Sequence, residues 1–511
     1  MDLPSPPLQP QQAPPPTTAV FIGSSMPARR AHMEDGICPV NKRRRLALSP
    51  CAEVYNSKRI RSQWVDFQSL PEDILSRIMS KLTLKQAVQM SMVSSVFRRA
   101  WIFHPDLLFG TEELFGTSDR QLRALSTNGF IDTINFVLRK HSGLGVSDFG
   151  VKFELWKEHA RDIDGWISFA IASKARVLVL NFSPYIGLRE NSYSFPCHLF
   201  NDRNGSHFKV LQLDTVTFGP TPDFCGFANL TMLTLKHVLV LDNFQYFLPK
   251  CPALEWLEIL MCSQLHNLHV SEPLPRLEFL RVQGCAINKI ELHAPKLTTF
   301  EYRGCFKVII ALHKCLKLKT ASIASHIEDN LEYVFTGLPN GLPHVERLHV
   351  KVFVRTQNFL GVFQIPGFTQ PPLKFINLRH LIMRITFGSA KRFGKNAVLQ
   401  LAYLLEAAPL LVDLHLDMTC ADICEDPPAR DVIIHRPYYN LKRACMTGFN
   451  GNGGQIALVR FILRNAVKLE KMTIVPKGRR TGKMMGEYEL SLRMIRKKIV
   501  PKDKNGVLVI L

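Results

Sequence analysis

Past residue 140 the apolar positions of this chain fall into one short template, L-x-x-L-x-L, with Ile, Val, Met or an aromatic ring accepted at the L positions. It stands as FKVLQL from Phe208, LTMLTL from Leu230, LEWLEI from Leu254, LEFLRV from Leu277 and LTTFEY from Leu297, 20 to 24 residues apart. VERLHV from Val345, LRHLIM from Leu378, LVDLHL from Leu411, LKRACM from Leu441 and LEKMTI from Leu469 follow at wider intervals. Alternation within the template is that of a half-buried strand, and a repeat of this length is one unit per turn of a solenoid. A second set, LHNLHV from Leu265 and INKIEL from Ile287, falls midway between the main hits. The opposite side of each coil is therefore expected to be strand-like too. Repeats this irregular predict a curved solenoid whose concave strands expose alternating side chains to a partner.

Upstream, the period changes to that of helices. Leu70, Ile74, Ile78 and Leu82 recur every fourth residue, with Leu75 and Met79 widening the stripe, which predicts an amphipathic helix. Pro71 suits its first turn, and Glu72 and Asp73 suit the positive end of its dipole. Thr83 stands three residues before Gln86, a capping-box spacing that restarts the chain as a second helix over LKQAVQMSMV. SSVFRRAW predicts a third, with Phe97 and Trp101 on one face. A unit of about forty residues rarely builds enough core to stand alone, so its apolar face needs a covering surface. Between it and the repeats, GFIDTINFVLRKH and DIDGWISFAIA read as helices and FGVKFEL as a possible first strand; residues 118–175 are expected to cap the solenoid's open edge.

Residues 1–62 contain PSPPLQPQQAPPP and no apolar period, and are expected to be disordered. The formal charge of the 511-residue chain is +21, a balance that attracts nucleic acid, anionic lipid or acidic partners. Part of it is localised in two clusters, Lys42, Arg43, Arg44 and Arg45, then Lys58, Arg59 and Arg61, which have the form of a bipartite nuclear signal. The segment 476–511 is also basic and is expected to be a solvated tail. It has no aromatic stacking pattern and no zinc or helix-turn-helix signature, which argues against nucleic-acid binding. No apolar run approaches the roughly 20 residues of a membrane helix, so a soluble intracellular protein without membrane association is expected.

The twelve cysteines are spread over a long chain without secretory signals, which favours reduced thiols. Cys262, Cys285 and Cys305 each fall three residues after the last apolar position of their repeat, extending the template to L-x-x-L-x-L-x-x-C. A buried thiol there would pack at the turn leaving the strand. Paired CxxC motifs are absent, and Cys420 and Cys424 with His415 and His435 form only a weak CxxxC cluster, so no metal is expected. GNGG before a helix reads as a turn; GRRTGKM has one residue too few between its glycines and no Ser or Thr after Lys483 for a phosphate loop. Neither a nucleophile motif nor a paired-carboxylate motif appears in a supporting context, so no cofactor and no reaction of the chain's own are expected.

LPEDILSRIMSKLTLKQAVQMSMVSSVFRRAW closely resembles an F-box, in which an LP-x-D/E-I/V-L opening leads to I-x-S-x-L, then A-V/S, then V-S-x-x-F/W-R-x-x-W. YYNLKRACMTGFNGNGGQIALVRFILRNAVKLEKMTI, about 437–475, is similar to the FBD region of plant F-box proteins, with Gln455 where that family often has an acidic residue. Together with the repeats, the chain resembles a plant F-box/leucine-rich-repeat protein over most of residues 65–475. The resemblance implies an α/β chain in three parts after the tail: a three-helix F-box at 65–110, a repeat solenoid at 118–475 and the basic end at 476–511. It also implies docking on a Skp-type adaptor, and through it on a cullin, by Leu70, Pro71, Ile74, Leu75, Ile78, Leu82, Val93, Ser94, Phe97 and Trp101, either as contacts or as their packing support. The repeats would then present an unidentified target protein for ubiquitination, in the nucleus, the cytoplasm or both. The competing reading is a nuclear scaffold outside ubiquitination, associated with nucleic acid, whose short helices merely cap the repeats.

Overall fold

Each template repeat folds as one strand, and the strands stand side by side in chain order. In the computed structural model, a single sheet is built from β1 (Asp106–Gly110), β2 (Asp148–Lys152), β3 (Val177–Asn181), β4 (Val210–Asp214), β5 (Met232–Lys236), β6 (Trp256–Leu260), β7 (Phe279–Gln283), β8 (Thr299–Arg303), β9 (Thr320–Asp329), β10 (Arg347–Val354), β11 (His380–Phe387), β12 (Asp413–Thr419), β13 (Arg443–Phe449), β14 (Lys471–Pro476) and β15 (Leu508–Ile510). Every neighbouring pair is parallel. Strand order equal to chain order leaves each connection one job, to return the chain to the start of the next strand. The described residues are 70–93, 97, 100–110, 126–183, 191–201, 204–241, 244–304, 308–329, 331–354, 358–359, 362–363, 373–387, 401–419, 437–477 and 485–511. The basic clusters at 42–45 and 58–61, Ser94, Cys305, Cys420, Cys424, His435 and the GRRTGKM stretch lie outside them, as does the side chain of Val93.

The period-2 pattern decides what faces inward. Leu211, Leu233, Leu257, Leu280 and Phe300 are mutual partners across five strands, and all are buried. Like residues thus stack in rows, each large side chain contributing roughly 1.5–3 kcal/mol through burial. The residues between them project from the other face of the sheet. The expected strands opposite the main sheet are present: Asn267–Val270, Lys289–Leu292 and Ile309–Ala311 form their own parallel sheet. Leaving β4, β5, β6 and β7, the chain turns through one left-handed residue each time, Thr215, His237, Met261 and Gly284. The amides of these four donate to the last carbonyl of the following strand, at 2.7–3.0 Å, so the turns repeat the sheet's own hydrogen-bond ladder. Cys262 and Cys285 sit just after two of these turns as the extended template requires, buried, their thiols directed at the carbonyls of Leu260 (3.5 Å) and Gln283 (3.4 Å).

Helices α1 (Glu72–Met79) and α2 (Leu84–Val93) form as predicted. The capping box is made: the Thr83 amide donates to Gln86 Oε1 at 2.9 Å and the Gln86 amide to Thr83 Oγ1 at 3.3 Å. Of the segment read as a third helix, 94–101, only Phe97, Ala100 and Trp101 are described; Ala100–Phe103 forms a 3-10 turn, and β1 begins at Asp106. Two expectations are corrected further on. The segment read as a cap supplies whole coils, with α3 (Thr127–Lys140) leading to β2 and α4 (Ala160–Ala172) leading to β3. FGVKFEL overlaps β2, and a strand precedes it. The basic end is not a free tail. It forms α6 (Met485–Lys498), preceded in the chain by α5 (Gly453–Asn465), and β15, which pairs with β14. Ile495 and Ile499 are fully buried, so two apolar positions spaced four apart hold a segment whose exposed face is cationic.

Candidate interaction surfaces

Two surfaces could meet partners: one face of α1, and the outward face of the sheet. Leu75, Met79, Ala87 and Phe97 form a small core of their own, with Leu70, Leu82, Met90 and Trp101 packed on it. Leu75 and Phe97 are inside, at 8% and 2% exposure, and so support the fold. Pro71 is exposed, while Ile74 and Ile78 are half-buried and lie outside that cluster. Spaced three and four apart, these three occupy one side of α1. Of the described residues implied by the F-box resemblance, they are the ones that core leaves uncovered, and Leu70, Leu82 and Trp101 pack on its edge.

The F-box helices are tied to the first repeat by buried histidines. Trp101 packs on both the small core and the large one, and Leu84 and Val88 pack on the large one. His104, 1% exposed, places Nε2 3.0 Å from the Leu82 carbonyl and accepts the Asp106 amide at Nδ1 (3.1 Å). His141, at the end of α3, donates from Nε2 to the His104 carbonyl (3.0 Å) and accepts the Gly143 amide at Nδ1 (3.0 Å). These bonds give His141 the neutral tautomer protonated at Nε2, while His104 Nδ1 also lies 3.0 Å from the Asp106 carbonyl. Burial holds His141 below the ordinary imidazole range, the bond to the His104 carbonyl pulls the other way, and the nearby His104 ring adds to the lowering.

On the outward face, Trp256 stacks on Phe279 with ring centroids 3.6 Å apart and 12° between planes. The Arg281 guanidinium lies 5.2 Å from the Phe279 ring and bridges Glu258 (2.7 Å) and Glu301 (2.8 Å) on the flanking strands. Farther along, Asp413 receives His380 Nδ1 at 2.6 Å and Arg443 Nη2 at 2.7 Å. Burial pushes its carboxyl up, and these two partners outweigh it, so Asp413 titrates below its ordinary value. It edges a depression of about 340 Å³ floored by Ile382, His415, Cys445 and Thr473. Burial pushes the Cys445 thiol up, which leaves it a weak nucleophile at neutral pH. These residues occupy the x positions of the template, so their direction could be foreseen, but the pairings across strands needed the register.

The GNGG stretch serves the backbone. Asn452 caps α5 by accepting the Gly454 amide at 2.8 Å, and Gln455, fully buried, accepts the Asn450 amide (3.0 Å) and donates to the Gly448 carbonyl (3.3 Å). Among the described residues, no group of three or more His, Cys, Asp or Glu is placed to hold a metal, and no helix is long and apolar enough to cross a membrane.

Comparison with known proteins matches residues 67–105 to the F-box domain and residues 137–510 to the At1g61320/AtMIF1 LRR domain. The second match carries the repeat family through α6 and β15. The Arabidopsis thaliana F-box/FBD/LRR-repeat protein At1g13570 is 25% identical over 417 residues, 80% of this chain and 91% of that protein. The putative F-box/LRR-repeat protein At3g42770 of the same plant is 28% identical over 299 residues, 55% of this chain and 53% of that protein. A helical box ending in a buried joint, continued by a sheet of stacked leucine-template strands, and a family match over more than half its length, place this chain in the plant F-box/leucine-rich-repeat family.

Proposed function

We propose that this chain is the substrate-recognition subunit of an SCF-type cullin–RING ubiquitin ligase. The F-box docks on a Skp-type adaptor, which links it to the cullin; the outward face of the sheet holds a target protein. In this reading the box is a three-helix unit, the repeats curve so that their strand face is concave, and the chain contributes no chemistry of its own: it raises the target's effective concentration beside the transfer site. The observation that carries the reading is the division within α1. Leu75 and Met79 close a small core, while Pro71, Ile74 and Ile78 remain on a face that nothing in that core covers. Val93, Ser94, Phe97 and Trp101 act as contacts or their support.

Capture of a Skp-type adaptor by the full chain tests this directly. Ile74→Glu with Ile78→Glu is expected to abolish capture and leave thermal stability unchanged; undiminished capture would overturn the reading. The packing of Leu84, Val88 and Trp101 on the large core favours a second role for the same helices, covering the end of the sheet. Deleting residues 65–104 tests the balance, since a remainder that stays folded but loses the adaptor assigns the box chiefly to docking, and an aggregating remainder assigns it chiefly to capping. The clusters at 42–45 and 58–61 are proposed as a nuclear signal, checked by the distribution of a fluorescent fusion with Lys42, Arg43, Arg44 and Arg45 replaced by Ala.

A further inference from the structure

Charges on the outward face are mostly matched within it. Arg281 is shared by Glu258 and Glu301, Asp413 by His380 and Arg443, and Asp214 holds Lys236. From β8 to β11 the matching fails. The register sets Arg303, Ala324, Lys351 and Arg384 side by side in one row, with the alanine leaving a gap between the first two cations. Arg347 stands on the same face of β10, four residues before Lys351, and among the described residues its guanidinium is bonded only to the hydroxyl of Thr320 (3.2 Å). The outward row two residues before that of Lys351 holds Glu301, already paired with Arg281, then Ser322, His349 and Ile382, so the carboxylate of that row stands at the β8 edge and is taken. Arg384 has Asp417 at 3.0 Å, but among the described residues neither Arg303 nor Lys351 makes an ion pair. Burial first, then the charges of Arg303 and Arg384, hold the Lys351 ammonium below the ordinary lysine range.

We propose that this cationic window across β8–β11 is the docking site for an acidic, carboxylate-rich segment of the target. The proposal rests on reading the outward face as the target-binding surface, and names the chemistry it selects. Strands about 4.8 Å apart make the window about 14 Å wide, and Arg347 to Lys351 spans about 13 Å along the strand, the footprint of four or five extended residues. Like charges held together by a rigid sheet are relieved by an opposite charge, which gains attraction and steering while neutral partners gain neither. Carboxylates bound the window on both sides, Glu301 on β8 and Asp413 and Asp417 on β12. A nucleic acid, which tracks a continuous basic groove and stacks its bases, would meet these carboxylates, and the Trp256–Phe279 stack lies beyond the first of them.

The test is fluorescence anisotropy with the full-length chain and labelled peptides of about twelve residues, one alternating Glu with Ser, one with Gln replacing Glu, and one with phosphoserine replacing Glu, plus a single-stranded RNA of similar length. The Glu peptide is expected to bind at least about tenfold more tightly than the Gln peptide, with affinity falling as salt screens the window. Lys351→Glu and Arg303→Gln are each expected to weaken the Glu peptide several-fold, and Lys152→Glu, far along the same face, to leave it unchanged. No binding of the Glu peptide, equal binding of the Gln peptide, indifference to Lys351→Glu, or a clear preference for RNA or phosphopeptide each overturns the proposal. Adaptor capture is scored on the same preparations. Intact capture without Glu-peptide binding defeats the acidic-segment assignment alone, whereas failed capture by the unaltered chain defeats the receptor reading.

Discussion

His104 Nε2 lies 3.0 Å from the carbonyl oxygen of Leu82, so the turn between the two F-box helices is hydrogen-bonded to a residue that stands two positions before the first strand of the repeat sheet. The ring is 1% exposed, and water cannot readily replace it. Removing it leaves the Leu82 carbonyl and the Asp106 amide without this partner, at about 1–3 kcal/mol for each group left unsatisfied. His104→Ala is therefore expected to lower the melting temperature by several degrees. The accompanying rise in hydrogen exchange should be greater in α1 and α2 than in β6–β8. Equal loss of protection throughout would show that the joint does not hold the box independently of the sheet.

His141, bonded to the carbonyl of that same His104, makes the joint sensitive to pH. Its folded pKa lies below its ordinary value of 6.5, so as pH falls the unfolded chain takes up the proton first. This contribution to stability is complete above about pH 6.5, declines as pH drops below it, and levels off under the folded pKa. Protonation at Nδ1 also removes the acceptor for the Gly143 amide. Melting curves between pH 7.5 and 5.5 should show a flatter dependence for His141→Asn than for the unaltered chain. Parallel curves would exclude His141 as the source.

Within the box, packing separates two kinds of apolar residue that the helical period alone groups together. Phe97→Ala empties the small core and is expected to cost about 3–5 kcal/mol, read as loss of the first helices by circular dichroism and exchange. Pro71→Ala with Ile74→Ala trims an exposed and a half-buried side chain outside that core and should cost much less, about 1 kcal/mol. If the docking reading holds, adaptor affinity falls about tenfold or more in the second variant as well, because a few apolar anchors carry most of such an interface. A surface pair that lost stability as Phe97→Ala does would move Ile74 into the core.

The repeats were legible because burial imposes a period that survives almost any choice of outward residue. FKVLQL, LTMLTL and LEWLEI each became a strand in the foreseen place, β4, β5 and β6. β9 was not foreseen. Its inward positions are Ala321 and Ile323, and an alanine filling a leucine's place gives no hydropathy signal of its own; only Leu318, 21 residues after Leu297, marks the coil. α6 was hidden for a different reason, since charge dominates the segment around Ile495 and Ile499 while two side chains decide its docking, and the short apolar run of β15 was read with it as tail. The left-handed turns at Thr215, His237 and Met261 could not be read at all, because none of these residues is the glycine that such a backbone favours. The candidate surface was legible in direction and not in pairing: Arg281 could be assigned to the outward face, but its bridge from Glu258 to Glu301 depends on strands from three different repeats.

Gln455 shows how a glycine-rich turn can depend on one buried amide. Its Oε1 accepts the Asn450 amide and its Nε2 donates to the Gly448 carbonyl, fastening the loop between β13 and α5. Gly448 itself is left-handed at φ +71, and an added Cβ would lie 2.0 Å from the Met418 carbonyl oxygen, so this position accepts only glycine. Gln455→Glu keeps the acceptor and replaces the donor with a second acceptor facing the Gly448 oxygen. Gln455→Leu removes both bonds and keeps the volume. Each buried group left unpaired costs about 1–3 kcal/mol, so both variants should melt several degrees lower. The ionised glutamate should recover part of its loss as pH falls toward 5 and the carboxyl takes up a proton that it can donate. The leucine variant has no such group and should show no recovery. Thermal denaturation of the three proteins at pH 7.5 and pH 5 separates these outcomes, and an unchanged glutamate variant at both values would show that the amide's donor is dispensable.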